Sequence, residues 1–266
     1  MDYVKPNEVV QSIAIAAEKK ASLSVLHILI KGFLSGAFLG YATTLAYQAS
    51  TQTGLDIVGA IIFPTGFVII LLLNLELVTG SFAMLPIARF RGLTTTPKIL
   101  RNFTWAFIGN LIGSVFYAVL FFIAITKFGH TFDAPVIDKI IAVAESKTLD
   151  YKGYGGDGYI VVFVKALLCN WMVTMGAVMA FTSQATIGKI TAMWIPVFIF
   201  FAQGFEHAVV NMFVIPAAMM LGADISFGDW WLWNQIPVTI GNLISGIIFT
   251  AICLHVITKE KANSVL

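Results

Sequence analysis

LELVTGSFAMLPIA at residues 75–88 and FEHAVVNMFVIPAA at residues 205–218 decide how this chain is built. Glu76 and Glu206 stand 130 apart (206 − 76), and so do Pro86 and Pro216 (216 − 86). The echo spreads outward with small slips. Ile108-Gly109-Asn110-Leu111-Ile112 returns as Ile240-Gly241-Asn242-Leu243-Ile244, and Pro64 as Pro196, both at 132 (240 − 108; 196 − 64). Lys31 and Lys165 form a weaker echo at 134 (165 − 31). The chain reads as two related halves, about 25–127 and 159–258, each with a carboxylate inside an apolar stretch. In membrane proteins of this construction the permeation site lies where the halves meet.

Composition sets the class. The 266 residues are 58% hydrophobic and 11% charged, which excludes an ordinary soluble domain. Apolar runs long enough for a bilayer fall at about 27–47, 57–75, 102–126, 159–183, 191–220 and 236–258. The expected fold is all-α: six transmembrane spans, the second and fifth broken. Residues 1–24 contain Pro6, Glu8, Glu18, Lys19 and Lys20 with no early apolar core, so no cleavable signal is expected there. The segment from Glu8 to Ala21 alternates apolar and polar residues at helical spacing and reads as an amphipathic helix on the membrane surface. Residues 25–258 are expected to form one transmembrane domain, and 259–266 a cytoplasmic tail. Cys169 and Cys253 have no metal-ligand spacing, and His27, His130 and His255 form no ligand pattern. No cofactor, metal or enzymatic activity is expected.

Basic residues set the orientation. Arg89, Arg91, Lys98 and Arg101 share one acid-free loop, Lys5, Lys19 and Lys20 precede the first span, and Lys259 and Lys261 follow the last. Six spans with both termini cytoplasmic put all of them on the cytoplasmic side of a cell membrane. Three spans per half is odd, so the halves run in opposite directions as an inverted repeat.

The second span cannot pass smoothly through residues 74–81, where Gly80 and polar neighbours fit a non-helical turn around Glu76. A charge at that depth costs about 2.5–3.5 kcal/mol on insertion scales. The fifth span breaks at Ala202-Gln203-Gly204-Phe205, just before Glu206 and His207. Each break exposes half-helix N-termini that favour a small anion. Glu76 and Glu206 have a structural reading as acceptors for broken backbone, compatible with a functional one. His207, beside a carboxylate in a break, reads as pathway-lining. Asn110 and Asn242 read as helix-packing donors, while Asn170 and Asn211 suit either packing or the pathway. Gly32, Gly36 and Gly40 recur every fourth residue and read as a close helix contact.

Gly204-Phe205-Glu206-His207 with Asn211-Met212-Phe213 and Pro216 resembles the signature of the formate/nitrite transporter family. So do Glu76-Leu77-Val78-Thr79-Gly80, Cys169-Asn170-Trp171-Met172-Val173 and Ile236-Pro237-Val238-Thr239-Ile240-Gly241-Asn242. The resemblance implies six spans per protomer in an aquaporin-like inverted repeat, assembled as a homopentamer with one pathway per protomer and carrying small monovalent anions of weak acids such as formate or nitrite. It implies His207 as the central pore histidine and Thr79 as the threonine of a flexible loop. Phe63, Phe67, Leu77, Val78, Val173 and Phe200 fall where the family builds two apolar constrictions. Lys20 matches an inner vestibule lysine, and Lys152 is the outer candidate. Protons and the lipid bilayer are the other expected partners, and nucleic acid is not. The alternative is an aquaporin-like channel for neutral small solutes, though no Asn-Pro-Ala triplet occurs.

Overall fold

A computed structural model describes residues 2–258, and the tail carrying Lys259 and Lys261 lies outside the described residues. Helices α1 (Pro6–Ala21), α2 (Val25–Thr53), α3 (Asp56–Ile62), α4 (Pro64–Leu72) and α5 (Val78–Phe90) come first. Then follow α6 (Thr96–Thr126), α7 (Pro135–Ser146), α8 (Leu149–Gly153), α9 (Gly156–Met179), α10 (Thr186–Ala202) and α11 (Ala208–Met220). The last, α12 (Phe227–Thr258), has π-helical stretches at Trp231–Gln235 and Gly246–Ile252. Among the described residues the only β pairing is an isolated bridge between Tyr3 and Ser183.

Four helices, α2, α6, α9 and α12, are long and apolar enough to cross a membrane. The chain is a multi-pass membrane protein with a nearly all-helical fold. Leu45, Ile61, Phe116, Leu120, Val164 and Ile248 are exposed on its outside, while Glu76, Thr79, Asn110, Asn170, Glu206 and Asn242 are fully or almost fully buried. A molecule with apolar outer faces and a hydrogen-bonded polar centre suits lipid as solvent.

The tightest packing joins α2 to α6. A Cβ on Gly36 would overlap the carbonyl of Asn110, and one on Gly113 would overlap the carbonyl of Phe33. Only the absence of side chains lets these backbones meet. Contact at that depth brings the Asn110 side chain, on α6, to the backbone of α2.

Helix α1 turns Val9, Val10, Ile13, Ala14 and Ala17 into the protein, where it packs on α5. The face that sequence assigns to a membrane surface is thus covered by protein. Residues 127–158 hold α7 and α8; Val136, Ile137, Ile140 and Ala144 of α7 are buried as that helix lies across α2 and α11.

Candidate functional site: two interrupted helix pairs

The α4–α5 and α10–α11 connections are built alike. Helix α4 ends at Leu72, Asn74 takes a left-handed φ of 49°, and Leu75 N–H returns to Ile70 O at 2.9 Å. Helix α10 ends at Ala202, Gly204 takes φ 63°, and Phe205 N–H returns to Phe200 O at 3.2 Å. Both are six-to-one Schellman closures, with the left-handed residue supplied by Asn in one half and Gly in the other. Each chain then extends for a few residues and re-enters a helix at Val78 or Ala208.

This corrects the expected turn at Gly80. Thr79, Gly80 and Ser81 lie in the first turn of α5, and the non-helical residues are Leu73–Leu77. Asn tolerates the left-handed region well enough to close the turn six residues earlier.

Restarting a helix leaves backbone N–H groups without partners. Asn110 Oδ1 accepts from Val78 N–H at 3.0 Å, and Asn110 Nδ2 donates to Glu76 O and Gly32 O, both at 2.8 Å. In the other half Asn242 Oδ1 accepts from Ala208 N–H at 2.9 Å, and its Nδ2 donates to Glu206 O at 3.0 Å and Ala166 O at 2.8 Å. Each asparagine therefore does more than pack helices: it holds both sides of one connection to two long helices.

The carboxylates are held in the same repeated manner. Glu76 Oε1 accepts from Lys20 Nζ at 2.8 Å and Oε2 from Asn102 Nδ2 at 3.2 Å. Glu206 Oε2 accepts from Lys147 Nζ at 3.0 Å, Asn234 Nδ2 at 3.2 Å and Asn211 Nδ2 at 2.8 Å, and Oε1 accepts from Tyr151 Oη at 2.7 Å. Burial and the neighbouring Glu206 charge push the Tyr151 phenol far above its ordinary range, so it stays protonated as a donor. A charge this deep is tolerable only when paired and hydrogen-bonded.

Lysine 152 stands elsewhere. It is about half exposed (52%) and pairs with Asp229 at 2.8 Å. Lys147 occupies the place beside Glu206, at the end of α7 and separated from α9 by the short α8. Lys147, Tyr151, Asn102 and Asn234 all escaped sequence reading. The spacing of 132 that links Asn110 to Asn242 also links Asn102 to Asn234 (234 − 102) and was the available signal.

His207 caps α11. Its Nδ1 accepts from Val210 N–H at 3.1 Å, and its Nε2 lies 3.0 Å from Thr79 Oγ1. With Nδ1 occupied as an acceptor, the neutral ring carries its proton on Nε2 and donates it to Thr79. That leaves the Thr79 hydroxyl hydrogen available to a further acceptor. Thr79 O accepts from Asn170 Nδ2 at 3.2 Å, which also donates to Asn242 O at 2.6 Å, so Asn170 ties the two halves together.

Two cavities flank this contact. One, about 160 Å³, is lined by Lys20, Leu77, Gly80, Ser81 and Lys189 among others. The other, about 180 Å³, is lined by Asp56, Lys139, Lys147, Phe200, His207 and Val210 among others. Leu77 and His207, repeat partners at 130 (207 − 77), thus open into opposite cavities. The expected constriction residues Phe63, Phe67, Leu77, Val78, Val173 and Phe200 are all buried. Phe200 stacks on the His207 ring at 5.7 Å between centroids and meets Phe63 edge-on at 5.8 Å. Near the second cavity Phe63, Phe200 and His207 thus form one ring cluster, with Thr79 as the polar partner of the histidine.

The model of the formate/nitrite transporter family matches residues 7–256. An uncharacterized transporter of Bacillus subtilis, YrhG, is 32% identical across 99% of this chain and 97% of its own length. The formate channel BtFdhC of Bacillus thuringiensis is 30% identical across 94% of this chain and 93% of its own. A solved structure titled as an FNT family ion channel superposes with TM-score 0.80 at 23% identity, covering 95% of this chain and 99% of its own. A second, titled as a pentameric formate channel with formate bound, gives TM-score 0.72 at 22% identity, covering 88% and 97%.

Proposed function

The chain belongs to the formate/nitrite transporter family, and on that premise we propose that it is a membrane channel for small monovalent anions of weak acids, formate and nitrite among them. It is a transporter and not an enzyme, as its family is. The α3–α4–α5 and α10–α11 runs each serve as one interrupted span, which with α2, α6, α9 and α12 makes six. The repeated closures, asparagines and carboxylates support an inverted repeat. The acid-free run of Arg89, Arg91, Lys98 and Arg101 supports cytoplasmic termini, with the Lys20 cavity inside and the Lys147 cavity outside. The pentamer named for one neighbour supports a homopentamer here, each protomer with its own pathway.

The observation that carries the reading is the hydrogen bond between Thr79 and His207, set between two cavities. An anion stripped of water in a ring of Phe and Leu is very costly, and a neutral acid is not. Desolvation raises the acid's own affinity for a proton as it enters. The Nε2–H of His207 donates to Thr79 and the Thr79 hydroxyl donates onward, a hydrogen-bond relay that stabilises the permeant there while vestibule water supplies the proton that neutralises it. Asn170 and Asn211 position the relay through Thr79 O and Glu206. Residues 76–82, the end of the connection together with the first turn of α5, act as the gate. Lys20 and Lys147 hold the buried carboxylates at the two vestibules.

The test is flux of labelled formate, nitrite, hydrosulfide, lactate and acetate into proteoliposomes at several pH values. Uptake of the small weak acids, faster at acid pH, is the expected result. Transport of neutral solutes alone, with no weak-acid flux, would overturn the reading.

A further inference from the structure

The two mouths differ in charge in a way the repeat does not predict. Each lysine lining the Lys147 cavity has an acid: Lys139 pairs with Asp56 at 2.7 Å and Lys147 with Glu206 at 3.0 Å, while Lys165, the repeat partner of Lys31, lies outside that lining with its Nζ 5.6 Å over the Tyr151 ring. Two cations and two carboxylates leave no formal charge. At the opposite cavity Lys20 pairs with Glu76 at 2.8 Å. Lys189 lines the same cavity, and Lys31 Nζ reaches Asn74 O, also in that lining, at 3.0 Å. Among the described residues neither Lys31 nor Lys189 has a carboxylate at ion-pair distance. Counted on the lining lysines as at the other mouth, two cations and one carboxylate leave a formal +1, with Lys31 a further cation beside the lining.

A second asymmetry lies on the same side. Ser81 lines that cavity from the first turn of α5, is 2% exposed, and its hydroxyl has no hydrogen-bond partner. Its repeat partner is Asn211 (211 − 81 = 130), whose amide bridges Glu206 and Asn234. Serine is too short to make that bridge to Glu76. The hydroxyl is left without a protein acceptor beside a positive cavity and close to the start of a helix.

We infer that Lys31, Lys189 and Ser81 form an anion-holding site for one small monovalent carboxylate or oxyanion at the Lys20 mouth, and that the Lys147 mouth has no equivalent. The inference rests on the channel reading above and adds a sidedness to it. Lysines at a low-dielectric mouth raise the local anion concentration. The Ser81 hydroxyl donates to an oxygen of the ion they hold. Equilibrium is untouched, because a passive pathway creates no gradient. What changes is the concentration at which each mouth saturates.

The experiment measures concentration dependence of formate flux from each mouth separately. Sidedness is read by thiol labelling of exposed Thr186→Cys in a Cys253→Ser background. Ionic strength is kept at about 10 mM, where screening is weak. The expected half-saturating formate is lower from the Lys20 mouth. In the Lys31→Gln, Lys189→Gln double variant it rises roughly threefold to tenfold from that mouth only. Glutamine keeps a donor for Asn74 O, and Lys189→Arg restores the wild-type value. Ser81→Ala raises it further in the double variant. Equal half-saturation from both mouths in the unaltered protein, or no change in the double variant while formate flux is normal, would overturn the site alone. Absence of any formate flux in the unaltered protein would overturn the channel reading and this site with it.

Discussion

Thr79 and His207 come from opposite halves of the chain, 128 residues apart, and meet through their side chains at 3.0 Å. Neither is free to turn away. His207 is fixed through Nδ1 by Val210 N–H, and the Thr79 backbone is fixed by Asn170. The pair is therefore a defined donor–acceptor arrangement rather than two polar residues near one another.

Replacing His207 by Phe removes both the relay and the cap of α11. Weak-acid flux should fall below detection and its pH dependence vanish, with stability reduced by about 0.5–2 kcal/mol for the lost cap. His207→Asn retains a cap acceptor, so it should fold more stably than His207→Phe while still lacking pH-dependent flux. Uptake assays across pH 5–8 and thermal unfolding of both variants check this; a wild-type pH profile in either would count against the relay.

Thr79→Val keeps the shape of a fully buried side chain and deletes the hydroxyl. The buried Nε2–H of His207 then lacks an acceptor, at a cost of about 1–3 kcal/mol. Flux should drop by about tenfold, the equivalent of 1.4 kcal/mol on the barrier, and Thr79→Ser should recover most of it. If Val and Ser variants transport equally, the hydroxyl is not in the pathway.

Lys147→Met and Lys152→Met separate the two lysines. The first strands a buried Glu206 and should destabilise the protein by about 3–5 kcal/mol. The second breaks a half-exposed pair and should cost no more than about 1 kcal/mol. Unfolding midpoints in detergent, measured side by side, decide the matter, and the reverse ranking would show that Lys152 holds the carboxylate.

Gly36→Val tests the α2–α6 crossing. Its side chain would enter the Asn110 carbonyl region, so the helices must separate. Overpacking of this kind costs about 1–3 kcal/mol or more. Because Asn110 also holds Val78 and Glu76, transport should fail together with stability. A fully active, stable Gly36→Val would mean the asparagine is not anchored by that crossing.

Much of this was legible in the sequence because the repeat carries its own check. Glu76 with Glu206 marks the two connections in the sequence, and His207 stands out as a titratable ring at one of them, whereas Asn110 and Asn242 read there as helix packing and only the fold puts them on the connections. The position of the first turn was not legible, since Asn74 and Gly80 both permit unusual backbone and only packing chooses between them. Lys147 was missed for a different reason. The chain runs 59 residues from Lys147 to Glu206 but 56 from Lys20 to Glu76 (206 − 147; 76 − 20), so the pair departs from the repeat's spacing, and Lys152 looked nearer in sequence. The burial of α1 was equally hidden, because an amphipathic face does not state whether protein or lipid covers it.

The order of groups along the chain bears on how the protein is made. Lys20 is synthesised before Glu76, and Lys147 and Tyr151 before Glu206. A ribosome delivering either carboxylate has already delivered its counter-ion. The closing amides come afterwards, Asn102 following Glu76 by 26 residues and Asn234 following Glu206 by 28. Each half thus neutralises its acid early in translation and locks it late, when the next long helix emerges.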